Sequence, residues 1–338
     1  MANICYEERF IIDLLFNDKI FTENDFKALD YSKLTKITSS FLLIPALYIN
    51  IKKKKYKNYT PEDFYKYIEQ IYEINLERNK ILYKEVKLLS KELNKKNINH
   101  VFLKGASYLF SNIFWDIGER MVGDIDFLIS KSDISETEKI LDEIGYNKFS
   151  EYSFFEFKHL TRRTKKEMIF AIEPHFNLLE YESKLIFTDD VLSMKIEKGE
   201  VFVPDFNTQL NYCVLNNQIN DYGYKYLNVD YRFIYDLHKI YNKLSGKVSW
   251  NKNKYYRNCF MIMNELGINN LFKDNQKNHI KFNRLRLQLK RKYKIYNFLD
   301  FYLVKFLTKL NRLPLQIREF FINKDYRKYI RKKYSTNF

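Results

Sequence analysis

Asp124-Ile-Asp126 lies downstream of Lys104-Gly-Ala-Ser107, and together the two segments carry what a magnesium–nucleotide site needs: paired carboxylates and a glycine turn. On a strand, residues i and i+2 point to one face, about 6.5–7 Å apart. Asp124 and Asp126 would then converge, while Ile125, Phe127 and Ile129 pack on the other side. Two carboxylates held so close repel unless a cation neutralises them. Magnesium suits this donor set, because substrate phosphates and water complete its octahedron. An Asp-x-Asp pair alone describes a solvent-facing strand edge equally well, so the neighbouring residues decide. Gly105 after a strand lets backbone amides face an anion, with the positive end of the next helix aimed the same way. Ser107 adds a hydroxyl donor, and Lys104 and Arg120 add cations. GxxxxGK[ST] is absent, so this is not a P-loop.

A third carboxylate is needed for a base or a second metal position. Glu173 is the best placed, after Met168–Ile172 and before Pro174-His175; Glu151, Glu156, Glu167 and Glu180 are its rivals. Glu173 would bind metal and help deprotonate an attacking hydroxyl. His175 would contact phosphate or the acceptor, although a lone histidine in an apolar run is more often a satisfied core residue.

The elements that must position these groups are legible in outline. Apolar spacing predicts helices over Glu8–Phe16 and Tyr31–Ile51. Thr60-Pro61-Glu62-Asp63 reads as a hydroxyl cap, a proline and first-turn acids, opening a helix that ends near Lys95–Asn97 with a polar break near Arg78. The texture changes at Asn99. Val101–Leu103 reads as a strand, Ala106–Phe114 as a helix, Asp124–Ser130 as a strand, and Asp133–Ile144 as a helix capped by Ser132 and ended by Gly145. Tyr152–Leu160 and Glu167–Glu173 read as strands joined by the basic turn Arg162–Lys166, with a further strand at Glu200–Val203. From Asn207 the pattern is helical again, through Leu210–Gln218, Tyr231–Leu244 and Tyr255–Leu266. The expected fold is α+β: a helical region over 1–98, a small mixed-sheet core over 99–205, and a basic helical domain over 206–338.

Net charge is +16, and 277–338 holds 18 Lys+Arg against 3 acids, a local +15. Such a region attracts polyanions by counterion release, or is a solvated helical face. Three scattered cysteines, no zinc spacing, no signal peptide and no long apolar run point to a cytoplasmic protein without a membrane partner. The 28 Tyr and 29 Phe accompany abundant Lys, Asn and Ile, a bias of AT-rich coding, so they are weak evidence for stacking surfaces.

Leu103-Lys-Gly-Ala-Ser107, Arg120-x-x-x-Asp124-Ile-Asp126-Phe-Leu-Ile129 and Ile172-Glu-Pro-His175 together resemble the uncharacterised nucleotidyltransferase family of the DNA polymerase β superfamily. The resemblance is good over about 95–180 and looser around Leu227–Asp236. It implies transfer of a nucleoside monophosphate from an NTP, ATP by default, to an acceptor, with pyrophosphate leaving. It places Mg2+ (or Mn2+) on Asp124, Asp126 and Glu173, and nucleotide phosphates against Lys104, Gly105, Ala106, Ser107 and Arg120, with His175 nearby. Ala106 and Glu173-Pro174 depart from the commoner pattern. The acceptor class is left open between an RNA or tRNA end reached through 277–338, a protein and a small molecule. The competing reading is an inactive transferase fold that binds nucleic acid.

Overall fold

The computed structural model describes residues 4–17, 19–148, 158–181, 183–244, 248, 253–268 and 281–335. The chain opens on four short helices, α1 (Tyr6–Leu15), α2 (Glu23–Lys27), α3 (Tyr31–Ser40) and α4 (Ile44–Lys53). The run expected as one helix over Tyr31–Ile51 is thus two. It breaks at Leu42, whose φ is 56°, and Pro45 sits in the first turn of α4, where a missing N–H costs no bond. Every residue from Ile44 to Ile51 is buried, so α4 is the central rod of the amino-terminal core.

Helix α5 (Glu62–Lys95) runs unbroken for 34 residues. Thr60 does not cap it: its hydroxyl donates to the Tyr56 carbonyl at 3.0 Å, and Pro61 takes the cap position. The polar break near Arg78 is no interruption either. Asn75 and Asn79 are buried there, and their amides donate to the carbonyls of Gly118, Ile117 and Arg120 at 2.6–2.7 Å. These bonds satisfy backbone groups that would otherwise be orphaned, and they fix the loop leading to the Asp pair.

Beyond α5 come β1 (His100–Phe102), α6 (Lys104–Phe110), β2 (Asp124–Ile129), α7 (Ile134–Glu143), β3 (Asn147–Lys148), β4 (Arg163–Thr164) and β5 (Ala171–His175). They form a mixed sheet in the order β1-β2-β5-β4-β3, parallel only between β2 and β5. Three expectations change here. Helix α6 starts at Lys104, so Gly105 lies inside its first turn and is not a preceding bend. Ser132 leaves α7 uncapped, its hydroxyl being engaged with Ser130 and Asp133. The basic turn Arg162–Lys166 contains β4, and the chain reverses instead at Glu167, whose φ is 68°. Of the strand expected over Tyr152–Leu160, residues 152–157 lie outside the described residues, as do Glu151 and Glu156; His159 bridges to His175.

The remainder is α8 (Thr188–Ser193), the hairpin β6 (Ile196–Lys198) and β7 (Val201–Val203), α9 (Phe206–Leu215), a π turn over Asn216–Asn220, α10 (Gly223–Tyr226), α11 (Tyr231–Lys243), α12 (Lys254–Glu265), α13 (Lys281–Lys292), α14 (Lys294–Ile322) and α15 (Lys324–Ser335). The back of the sheet, Ile125, Phe127, Ile129 and Ile172, packs in one core with Leu82, Val86 and Leu89 of α5. A second, larger core joins α1–α4 to α9, α11 and α12. The sheet's front face is left to carry chemistry between the two.

Candidate active site

The two-residue period of β2 turns Asp124 and Asp126 to the front, as the pattern requires. The parallel register sets Asp126 beside Glu173 and Asp124 beside Ala171. Glu173 and His175 share that face, and ligand atoms of Asp126, Glu173 and His175 lie within 4.8 Å of one another. Among the described residues this is the one cluster of that kind. Two carboxylates, with Asp124 one step along the strand, fit a hard oxygen-seeking cation such as Mg2+ or Mn2+. The imidazole fits it less well.

Cations already converge on these acids. Lys104 Nζ donates to Asp126 Oδ1 at 2.7 Å, from a backbone held at φ 47°, a left-handed conformation uncommon in side-chain-bearing residues. Burial alone would raise the Asp126 pKa, but the Lys104 charge and a hydrogen bond from His175 hold it well below the usual carboxylate range. The same partnership raises Lys104 against the pull of burial. Arg162 donates to Asp124 and sits 4.0 Å from Glu173. Glu173 moves the other way: burial and the neighbouring Asp126 charge raise its pKa. Burial lowers His175 to about 4, so its ring is neutral at pH 7. An ionised Asp126 can only accept, so the 2.9 Å contact must be His175 Nε2–H donating, which leaves Nδ1 as a bare lone pair. That Nδ1 is buried with no hydrogen-bond partner among the described residues.

In front of Asp124 and Asp126 opens a cavity of about 200 Å3, walled by Lys104, Gly105, Arg120, Tyr212, Asn217 and Arg232 among others. Beyond it lies a second cavity of about 550 Å3, and Asn217, Asp221, Asp230 and Arg232 line both. The Tyr212 hydroxyl on the shared side is buried without a partner among the described residues. The π turn supplies Asn216 and Asn217, an irregularity of the kind that recurs at functional sites.

Several sequence-predicted residues have other surroundings. Ala106 is buried in the core behind the sheet, and Ser107 donates to the Lys104 carbonyl at 2.9 Å, so neither lines the cavity. Gly105 does, but packing explains the glycine: a Cβ there would lie 2.7 Å from Val122 Cγ1. Arg120 reaches the cavity wall while its guanidinium grips Asp236 of α11 at 2.7 and 3.0 Å. His175 contacts Asp126 and is fully buried, but its Nδ1 has no partner among the described residues, so it is not the fully satisfied core histidine of the bland reading. Residues that sequence reasoning passed over are Arg162, Asp236, Tyr212 and Asp221. Arg162 figures in the sequence only as the start of a basic turn, and Asp236 only as the end of the loosely resembling Leu227–Asp236 stretch.

A search of curated proteins finds no significant match. A profile of the uncharacterised nucleotidyltransferase family matches residues 27–255, which takes in α3 through the first residues of α12 and includes every site residue described above. With the mixed sheet and the acidic cluster at its front, the chain belongs to the uncharacterised nucleotidyltransferase family.

Proposed function

We propose that the protein is a Mg2+-dependent enzyme that moves a nucleoside monophosphate from an NTP, ATP by default, to an acceptor nucleophile, releasing pyrophosphate. The observation that carries this reading is the register pairing Asp126 with Glu173, with Asp124 one step along the same face. Asp124, Asp126 and Glu173 would hold the divalent ion, and His175, on the same face, would orient Asp126 through its Nε2–H. The ion, when bound, supplies charge neutralisation for the phosphates. Lys104 and Arg162, paired with the carboxylates, would offer their cations to the triphosphate. Glu173, beside Asp126 on the same face, is the carboxylate placed to help deprotonate the acceptor. The larger cavity gives room for a base or an acceptor next to the reacting groups.

Incubation with each α-labelled NTP, Mg2+ and cell extract tests this, with label followed into RNA, protein and small molecules. Label transfer is expected from the wild type and should disappear in Asp124→Asn and Asp126→Asn. Equal transfer by both variants and the wild type would sink the reading. The rival, a nucleic-acid-binding relative without turnover, rests on the +15 of 277–338 and predicts salt-dependent RNA binding that outlives those substitutions.

A further inference from the structure

Helix α14 breaks the rule that a helix turns its apolar stripe inward. Leu299, Tyr302, Phe306, Leu310, Leu313 and Ile317 recur every three or four residues, and each is 44–60% exposed. They form one continuous face. The opposite side is the anchored one. Asp300 is buried and paired with Arg286 at 2.5 Å and Lys290 at 3.1 Å, Phe301 lies against the Tyr226 ring at 5.4 Å, and Arg312 pairs with Glu180. The helix is therefore fixed with its apolar face outward. A stripe this long, on 29 residues of helix, exceeds the scattered apolar exposure ordinary to a soluble surface.

Charge says what covers it. Lys294, Lys305 and Lys309 run along one flank of the stripe, Arg318 stands on the other, and α15 continues with Lys324, Arg327, Lys328, Arg331 and Lys332. We infer that α14 lies in the interfacial plane of an anionic lipid bilayer, with its leucine and aromatic face in the acyl boundary and its basic flank on the headgroups. The arrangement has the form of an interfacial amphipathic helix. No single described helix is long and apolar enough to cross a membrane. The sequence-based expectation of no membrane partner rested on the lack of a span, and the outward stripe revises it. A second copy is a poorer occupant, because two such faces would bring cationic flanks together with few acids to match them. RNA is poorer too, because four of the six stripe residues are leucine or isoleucine, which neither stack bases nor bind phosphate.

The full-length protein is floated with vesicles of equimolar phosphatidylcholine and phosphatidylglycerol, and with phosphatidylcholine alone. Flotation with the anionic vesicles is expected, weakening as salt rises. Phe306→Asp with Leu310→Asp should lower partitioning roughly a hundredfold, since both side chains leave the lipid. Lys305→Glu with Lys309→Glu should lower it as well, with an unchanged circular dichroism spectrum in both variants. The inference is overturned if the wild type stays in solution at low salt, or if the aspartate variant floats as well as the wild type. It is also overturned if that variant instead abolishes a dimer seen by sedimentation, or RNA binding, with no vesicle binding by the wild type.

Discussion

The front of the sheet and the outer face of α14 depart from ordinary burial in opposite senses. At β2 and β5, Asp126 and His175 are shut into the interior beside Lys104. Along α14, leucines and aromatics that would ordinarily be inside stand in solvent. Charge indoors must be paired, so the sheet face assembles Lys104, Arg162 and His175 around its acids. Apolar surface outdoors has no internal remedy and calls for an external partner. Each violation marks a place where local rules give way to function, as the general consistency of natural sequences predicts. The difference is that the acids of the first find counter-charges within the chain, whereas the stripe of the second faces solvent.

The sharpest way to break that contrast is at Asp126. Asp126→Asn is expected to cost on the order of a thousandfold in label transfer, since a carboxylate that organises several phosphate charges is lost. The asparagine oxygen still accepts from Lys104 and His175, but the buried Lys104 cation loses its counter-charge, so the fold should persist at lowered stability; a melting curve alongside the assay separates the two effects. Arg120 tests whether a charge indoors is structural. Arg120→Leu strands the buried Asp236 and should cost about 3–5 kcal/mol in urea unfolding, much of it recovered by adding Asp236→Leu.

Two smaller effects refine the picture of the interior. His100 is buried against Ser90 and the Ile98 carbonyl, and burial lowers its pKa to about 4 from 6.5. The folded state therefore binds this proton less readily than the unfolded one. Its contribution is fully present above pH 6.5 and is lost as pH falls toward 4, about 2 kcal/mol by pH 5. Unfolding midpoints at pH 7 and pH 5 should show that slope, and His100→Gln should remove this share of it, leaving the like share of the buried His175. Gly105→Ala should destabilise by about 1–3 kcal/mol, because its Cβ would meet Val122, and Val122→Ala should relieve it; an unrelieved loss would point to backbone freedom instead.

Much of the site was written in one dimension. The alternation Asp124-Ile-Asp126-Phe-Leu-Ile sets acids on one face and core on the other whatever surrounds it, and Glu173 could be picked out at the end of the next apolar run. The first-turn acids Glu62-Asp63 and the end near Lys95–Asn97 foretold the length of α5. Position in space was not so written. Arg162 reaches Asp124 from 38 residues away and Asp236 reaches Arg120 from 116, and neither contact leaves a periodic mark. Strand β4 has two residues, too few for alternation to register, so Arg162–Lys166 read as a turn.

The sequence by itself determined that a carboxylate pair would sit on a half-buried strand, and that cations would crowd the carboxyl-terminal helices, since side-chain period and charge are local properties. Tertiary structure alone decided that Asp126 pairs with Glu173, that Ser107 turns inward, and that α14 turns its leucines out. Those outcomes depend on which distant surfaces meet, and parallel register and helix rotation are fixed only when long-range packing closes.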